Sequence, residues 1–254
     1  MASIDQLRAA LEGDAPATGL WATIPSPLTA EALAASGPDY VVVDEQHGAV
    51  GPEAMAAMLV AIAARGAAPL VRVAANEPFA IGRALDLGAA GVIVPLVESA
   101  AEAARAVAAC RYAPEGSRSY GPLRAPLAQG SADPDVLGGA ICLVMVETRA
   151  GLEAVEEIAA TPGLDGVYVG PSDLSLSLGV RPAPQLGHPT VRAALERVRA
   201  ACEAAGVHCG VHCLAAEEAA EHAARGFSPV TAGTDLAFVH AGAARALTSV
   251  RERG

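Results

Sequence analysis

The sequence alternates short apolar segments with longer alanine-rich segments along its whole length. The strand-like segments are continuous runs of apolar or β-branched residues, at 19–24, 40–44, 69–73, 91–95, 141–147, 165–169, 207–213 and 227–232. Each is followed by a segment with helical periodicity, at about 28–36, 52–65, 78–87, 99–110, 149–160, 189–205, 215–225 and 235–250. Continuous apolar strands are typical of a parallel sheet covered on both faces. Eight such units predict a single closed (β/α)8 barrel over residues 1–254, with an open doubly wound sheet as the alternative.

Length and charge narrow the classes of function. The 254 residues suit one barrel domain, which typically has about 250 residues. The formal net charge of −11 argues against a nucleic-acid partner, because such proteins usually carry a basic surface. The five cysteines are an odd number, and the start MASIDQLRAALEG lacks a secretory h-region. We therefore expect a cytoplasmic protein without a disulfide framework, and no membrane span.

Two stretches interrupt the strand–helix rhythm. Residues 111–134 contain proline, glycine, serine and several arginines, and residues 178–189 are also rich in proline and glycine. Long irregular segments in a compact domain are usually lids or interfaces. Because the chain is acidic, Arg118 and Arg124 in the first stretch are candidates to contact a distal carboxylate of a substrate.

Polar residues are concentrated where the predicted strands end. In a parallel barrel these carboxyl ends meet on one face, which carries the active site in barrel enzymes. The polar residues at or just after the strand ends are Asp44, Glu45, Gln46, His47, Arg72, Glu147, Thr148, Arg149, Ser172, Asp173, His212, Cys213 and Thr231. The amino ends of the same strands hold mostly glycine, alanine and proline. This asymmetry predicts an enzyme.

Glu147 and Asp173 are the candidate metal ligands. They follow adjacent predicted strands, and two carboxylates without a histidine or cysteine set suit a hard cation such as Mg²⁺ or Mn²⁺. Alternatively, Glu147 forms an ion pair with Arg149 or another cation, and Asp173 only caps the helix after Gly-Pro-Ser.

His47 and Arg72 are the candidate catalytic side chains. An imidazole directly after a strand can act as a general base; the alternative is a surface histidine in a Gln-His-Gly turn. Arg72 lies between two valines on an interior strand, so its charge requires an anionic partner, either a substrate or Asp44 on the neighbouring strand. Within residues 208–213, His212 and Cys213 are candidates for the pocket wall, and strand alternation argues against a zinc site there.

The motifs as a group resemble one family, the HpcH/HpaI family of divalent-metal-dependent class II aldolases. The likeness covers nearly the whole chain and includes Gly-Leu-Trp at 19–21, Val-Asp-x-x-His at 43–47, Val-Arg-Val at 71–73, Val-Pro-Leu-Val at 94–97, Val-Glu-Thr at 146–148 and Gly-Pro-Ser-Asp-Leu-Ser at 170–175. The resemblance implies a barrel of the phosphoenolpyruvate/pyruvate-binding type. It also implies cleavage of a 4-hydroxy-2-oxo acid to pyruvate and an aldehyde, or the reverse addition.

The resemblance also implies roles for individual residues. His47 is then the general base, Asp86 raises its basicity, and Arg72 stabilises the enolate oxygen. Glu147 and Asp173 hold Mg²⁺ or Mn²⁺, with Co²⁺ as a further candidate. Ser172 and Asp173 receive the pyruvate carboxylate. Met145 occupies a substrate-contacting position where well-known members have glutamine, and the 116–122 segment also departs from the family pattern, so the substrate stays open.

Family members assemble as hexamers with exchanged C-terminal helices, so the resemblance implies a homo-oligomer. The sequence leaves two other functions open. One is a lyase of the citrate-lyase-like branch that uses a CoA thioester, although the chain contains no lysine for the CoA phosphates. The other is a non-catalytic barrel that binds small anions.

Overall fold

The computed structural model describes residues 4–181 and 187–252. Eight parallel strands close into a barrel in the order β1 to β8, each paired with its chain neighbours and β8 with β1. Their bounds are Thr18–Ala22 (β1), Tyr40–Asp44 (β2), Ala68–Arg72 (β3), Gly91–Val94 (β4), Ile141–Val146 (β5), Gly166–Val169 (β6), His208–His212 (β7) and Val230–Thr234 (β8). The predicted closed barrel is confirmed, and the doubly wound sheet is excluded.

Helices lie before, between and after the strands. They are Ile4–Glu12 (α1), Pro27–Ala35 (α2), Pro52–Ala64 (α3), Pro78–Asp86 (α4), Ala100–Cys110 (α5), Ala125–Gln129 (α6), Pro134–Gly138 (α7), Arg149–Glu153 (α8), Val155–Ala159 (α9), Pro171–Ser177 (α10), Pro189–Ala205 (α11), Ala216–Ala224 (α12) and Asp235–Arg251 (α13). Several begin with proline in the first turn, where its missing N–H costs no helical hydrogen bond. The predicted loop at 178–189 falls partly on residues 182–186, which lie outside the described part.

Side chains fill the barrel interior, so it is a core and not a channel. Tyr40 and Tyr168 both direct their hydroxyl groups to Thr231 Oγ1, and all three residues are buried. At the amino end of the barrel, Leu7 and Leu11 of α1 pack beneath the interior residues. The opposite end is therefore the one that remains open for a site, as expected for this fold.

The last helix departs from the usual barrel packing. Asp235 at its start accepts hydrogen bonds from Thr23 N, Thr23 Oγ1 and Ile24 N, which fix the beginning of α13 next to β1. Asp235 is the one buried residue of α13, whereas Phe238 and Val239 are exposed. Helix α13 thus projects from the barrel. None of the helices in the described ranges is long and apolar enough to cross a membrane.

Candidate active site

An ion pair between neighbouring strands organises the open end of the barrel. Asp44 and Arg72 are register partners at the last positions of β2 and β3. Arg72 donates from Nε to Asp44 Oδ1 at 2.8 Å and from Nη2 to Asp44 Oδ2 at 2.6 Å. Both residues are buried, with 1% and 9% of their surfaces exposed. A buried bidentate pair of this kind has a fixed geometry as well as a favourable energy.

The environment of Asp44 keeps its carboxylate charged. Burial opposes ionisation, but the hydrogen bonds and the positive charge of Arg72 outweigh it, so the pKa of Asp44 lies below its ordinary value. The predicted salt bridge between Arg72 and Asp44 is therefore confirmed. Arg72 nevertheless uses only two of its three guanidinium nitrogens on Asp44, and across the described ranges Nη1 has no hydrogen-bond partner. It is available to an anionic ligand.

The same aspartate shapes the loop that carries His47. Asp44 Oδ1 also accepts from the backbone N–H groups of Gln46 at 3.1 Å and His47 at 3.3 Å. A Cβ at position 48 would collide with the Asp44 carbonyl oxygen, so the turn after His47 requires glycine. The His47 side chain is exposed at the rim, where it can exchange a proton with a ligand.

Glu147 directly follows β5 and is 1% exposed. Its Oε1 accepts from Leu96 N at 2.8 Å, and a Cβ on Gly170 would collide with its Oε2. The pKa of Glu147 is raised, mainly because the carboxylate is buried and also because Asp173 is negatively charged. The Leu96 N–H and the positive charge of Arg72 oppose this rise. Within the described residues, Glu147 forms no salt bridge. The backbone N–H of Arg149 donates a hydrogen bond to Ser177 Oγ, and its Nη2 donates one to the Ser177 carbonyl oxygen. The alternative pairing with Arg149 is therefore wrong.

Asp173 lies in the first turn of α10, one strand further around the barrel. The N-cap of α10 is Gly170 and makes no side-chain capping bond, so Asp173 is not the capping residue. Its carboxylate is exposed and close enough to Glu147 to raise that group's pKa. Two carboxylates without a protein cation between them fit a divalent ion, which binds to one or two carboxylates plus water or substrate oxygens. The described residues contain no cluster of three or more such ligands.

Met145 and Ser172 lie next to the two carboxylates. Met145 is buried two residues before Glu147 on β5, and both side chains come within contact distance of a Cβ placed on Gly170. Ser172 directly precedes Asp173 in α10. These two positions therefore border the same small region as Glu147.

Asp86 is the predicted site residue that lies apart from the others. It ends α4, and its Oδ1 accepts from Arg118 Nη2 at 2.7 Å. Arg118 also donates to the Leu137 carbonyl at 3.1 Å. Within one chain, over the residues described, Asp86 and His47 share no hydrogen bond. The structure thus brings together His47, Arg72, Glu147 and Asp173 with their neighbours, and pairs Asp86 with the long loop.

The two loop arginines, Arg118 and Arg124, bind groups of the protein itself. Arg124 donates from Nη1 to the Leu87 carbonyl at 2.9 Å, and burial lowers its pKa. Arg118 is engaged by Asp86 and Leu137. Both guanidinium groups therefore fasten the 111–134 segment to the end of α4, and this geometry does not support a contact with a distal substrate carboxylate.

The sequence did not indicate that Leu96 and Gly170 hold Glu147 in place. Leu96 has a left-handed backbone (φ 54°), the one non-glycine residue in the described part to do so. Such a conformation costs about 1–3 kcal/mol and concentrates at functional sites. Here it accompanies the N–H bond to Glu147 Oε1. The Gly-Pro-Ser-Asp motif contains Gly170, but the motif alone does not show that the Glu147 side chain fills the space that a Cβ at position 170 would occupy.

Removal of Asp44 should destabilise the protein by leaving Arg72 buried and unpaired. We expect Asp44→Ala to lower the free energy of unfolding by about 3–5 kcal/mol. The double variant Asp44→Ala, Arg72→Met should recover most of that loss, because no uncompensated charge remains. Urea unfolding followed by the fluorescence of Trp21 measures both. If the double variant loses as much stability as the two single substitutions together, the two charges are not directly coupled.

Comparison with known proteins identifies the family of this chain. Residues 17–241 match the family model described as HpcH/HpaI aldolase/citrate lyase. A hydroxypyruvate/pyruvate aldolase of Rhizorhabdus wittichii is 39% identical over 241 residues, which cover 93% of this chain and 94% of that protein. A 5-keto-4-deoxy-D-glucarate aldolase of Salmonella paratyphi C is 35% identical over 91% of each chain.

Solved structures give the same result. A crystal structure of an HpcH/HpaI aldolase/citrate lyase family protein from Burkholderia cenocepacia has a TM-score of 0.90 and 34% identity, covering 98% of this chain and 100% of its own. The citrate synthase SbnG has a TM-score of 0.86 and 29% identity, covering 100% and 98%. With the matched family model and two relatives above 30% identity, the chain belongs to the HpcH/HpaI aldolase/citrate lyase family.

Proposed function

We propose that this chain is a divalent-metal-dependent aldolase that cleaves a 4-hydroxy-2-oxo acid to pyruvate and an aldehyde, or runs the reverse addition. One observation carries the proposal: the buried carboxylate of Glu147 lies near Asp173 and Arg72 and has no salt-bridge partner in the described residues. A cation held there would supply the positive charge that these two carboxylates lack and would neutralise charge that develops on the 2-oxo oxygen. Glu147 and Asp173 would hold it; the choice among Mg²⁺, Mn²⁺ and Co²⁺ is open.

The chain's own residues supply the remaining chemistry. In the cleavage direction, His47 accepts the proton of the C4 hydroxyl as the C3–C4 bond breaks and the aldehyde forms. The electron pair of that bond delocalises onto the 2-oxo oxygen, where Arg72 Nη1 donates a hydrogen bond. Protonation at C3 then gives pyruvate. Asp44 keeps Arg72 oriented by occupying its other two nitrogens, and Ser172, Asp173 and Met145 border the carboxylate end of the ligand.

Asp86 has a place in this proposal only through assembly. Its carboxylate is paired with Arg118 at the end of α4, which lies at the amino end of the barrel, opposite the site. An effect on the basicity of His47 would therefore require Asp86 from another copy of the chain.

The comparisons favour the aldolase over the CoA-dependent alternative. The two relatives described above, both more than 30% identical, are named aldolases. The citrate lyase beta subunit of Mycobacterium tuberculosis is 23% identical with a TM-score of 0.62, a likeness of fold alone. Organised carboxylates and an oriented arginine at one end of the barrel also weigh against a non-catalytic barrel.

Pyruvate release from a panel of 4-hydroxy-2-oxo acids tests this proposal. We expect release that requires Mg²⁺, Mn²⁺ or Co²⁺ and that falls at least about 100-fold in Glu147→Gln, because the neutral amide removes a ligand charge. Glu157→Gln, on the exposed side of α9, is the matched control and should retain activity. Release that persists undiminished after exhaustive treatment with a chelator would contradict metal dependence.

Gly170 should be required for metal binding although it contributes no side chain. Gly170→Ala displaces Glu147 Oε2, so we expect Mn²⁺ affinity measured by calorimetry to fall about 10- to 100-fold, as for other groups that orient a ligand. Gly82→Ala in α4 is the matched control, because a Cβ there meets no atom within 4 Å. Equal affinity in both variants would show that Gly170 does not shape the Glu147 site.

Helix α13 and the groove beside it support a homo-oligomer, with a hexamer as the proposed state. Phe238, Val239 and Val250 are 44%, 58% and 73% exposed. An apolar groove of about 640 Å³ opens beside the same helix, lined by Leu20, Thr29, Ala32, Leu33, Ser36, Ala216, Ala232, Asp235, Phe238 and Val239. An unfilled apolar groove and an exposed apolar helix are complementary surfaces for association of like chains.

Size-exclusion chromatography with light scattering tests the assembly. We expect a mass near six times the chain mass of 25.4 kDa, and a smaller species for the double variant Phe238→Glu, Val239→Glu, because charges oppose burial of that face. Ala104→Glu, at an exposed position of α5, is the control and should assemble normally. A wild-type protein that is a monomer at micromolar concentration would contradict this part of the proposal.

A further inference from the structure

Ser177, the last residue of α10, connects this helix to the segment that follows β5. Its Oγ accepts a hydrogen bond from the backbone N–H of Arg149 at 2.5 Å, and its carbonyl oxygen accepts one from Arg149 Nη2 at 3.4 Å. Arg149 lies two residues after Glu147, and Ser177 lies four residues after Asp173. The two bonds therefore join the two segments that carry the candidate metal ligands.

The pairing of the barrel strands ends before it reaches these two ligands. Strands β5 and β6 are in register up to Val146 and Val169, and Glu147 follows directly. Asp173 lies further along, in the first turn of α10. Beyond the last paired residues, the separation of the two carboxylates depends on contacts between the segments after the strands. The bonds of Ser177 are two such contacts.

The hydroxyl group of Ser177 is used differently from that of its neighbour Ser175. Ser175 Oγ donates to the Pro171 carbonyl oxygen at 2.6 Å, four residues earlier in the same helix, which is a common bond of a helical serine. Ser177 Oγ instead accepts from a different element. Asp173 and Ser177 are four residues apart and lie on one face of α10. A shift of that face would therefore move both residues.

The separation of two carboxylates affects which divalent cation they bind. Mg²⁺ requires near-ideal octahedral geometry with oxygens at about 2.0–2.1 Å, whereas Ca²⁺ accepts a flexible shell at about 2.3–2.6 Å. Ligands on segments that move independently suit the larger ion, and ligands on segments that are tied together suit the smaller one. Among the described residues, Glu147 and Asp173 are not part of a cluster of three or more such ligands. Their mutual separation therefore carries much of the discrimination.

We propose that Ser177 is a positioning residue that holds Glu147 and Asp173 at a separation suited to Mg²⁺ and thereby selects Mg²⁺ over Ca²⁺. The inference rests on the proposed function, in which these two carboxylates hold the cation. Loss of the Ser177 hydroxyl would remove the acceptor of the Arg149 N–H and free α10 to move relative to the end of β5. Loss of a group that orients a metal ligand typically weakens metal binding about 10- to 100-fold.

Displacement of Mn²⁺ measures this selectivity without turnover. Full-length protein is loaded with Mn²⁺ and titrated with MgCl₂ or CaCl₂, while free Mn²⁺ is followed by its electron paramagnetic resonance signal. Ser177→Ala removes the hydroxyl, and Ser177→Thr retains it. Ser175→Ala is the matched control, because it removes a hydroxyl from the same helix and leaves the link to Arg149 in place.

The ratio of the Ca²⁺ to the Mg²⁺ dissociation constant decides the question. We expect Ser177→Ala to lower this ratio about 10-fold, because Mg²⁺ binds more weakly while Ca²⁺ binds nearly as before, and Ser177→Thr to restore it. A ratio that is unchanged in Ser177→Ala, or that falls equally in Ser175→Ala, would overturn the proposal and leave the proposed function standing. A wild-type protein that binds no Mn²⁺ would contradict the proposed function and this inference together.

Discussion

The ion pair between Asp44 and Arg72 is the interaction on which the open end of the barrel depends. It ties the last residues of β2 and β3 together. Through two further backbone hydrogen bonds, Asp44 also sets the path of the loop that carries His47. The guanidinium group is held over Trp21, with one nitrogen left for a ligand. One buried carboxylate thus orients both the group proposed to stabilise the enolate and the group proposed to move the proton, before any substrate binds.

Around this pair the barrel keeps polar groups that its own residues do not fully satisfy. Glu147 is buried beside a second carboxylate, and His212 Nδ1 has no hydrogen-bond partner in the described residues. Leu96 has a strained backbone where its N–H meets Glu147. Each feature costs stability, and each is expected where a protein is complementary to a ligand and not to itself. A cation at the two carboxylates would supply the positive charge that Glu147 lacks, beside the free nitrogen of Arg72.

Much of this architecture could be predicted from the sequence because strand and helix periods are local properties. The segment 40–44 coincides with β2, and the helix at 189–205 coincides with α11. The strand-end rule also selected Arg72, Glu147 and Asp173. Pairings that depend on distant loops could not be predicted: Asp86 meets Arg118 across a separation of 32 residues that includes β4 and α5. Helices α6 and α7 were missed because five-residue helices carry too little periodicity to detect.

Glu147 and Asp173 are proposed to hold a divalent cation beside the free nitrogen of Arg72. A crystal structure with Mn²⁺ and oxalate, a planar mimic of the pyruvate enolate, tests it most directly. We expect anomalous density for Mn²⁺ between the two carboxylates, with oxalate bound to the metal and within hydrogen-bonding distance of Arg72 Nη1. Manganese bound elsewhere, or oxalate located away from Arg72, would contradict the proposed site.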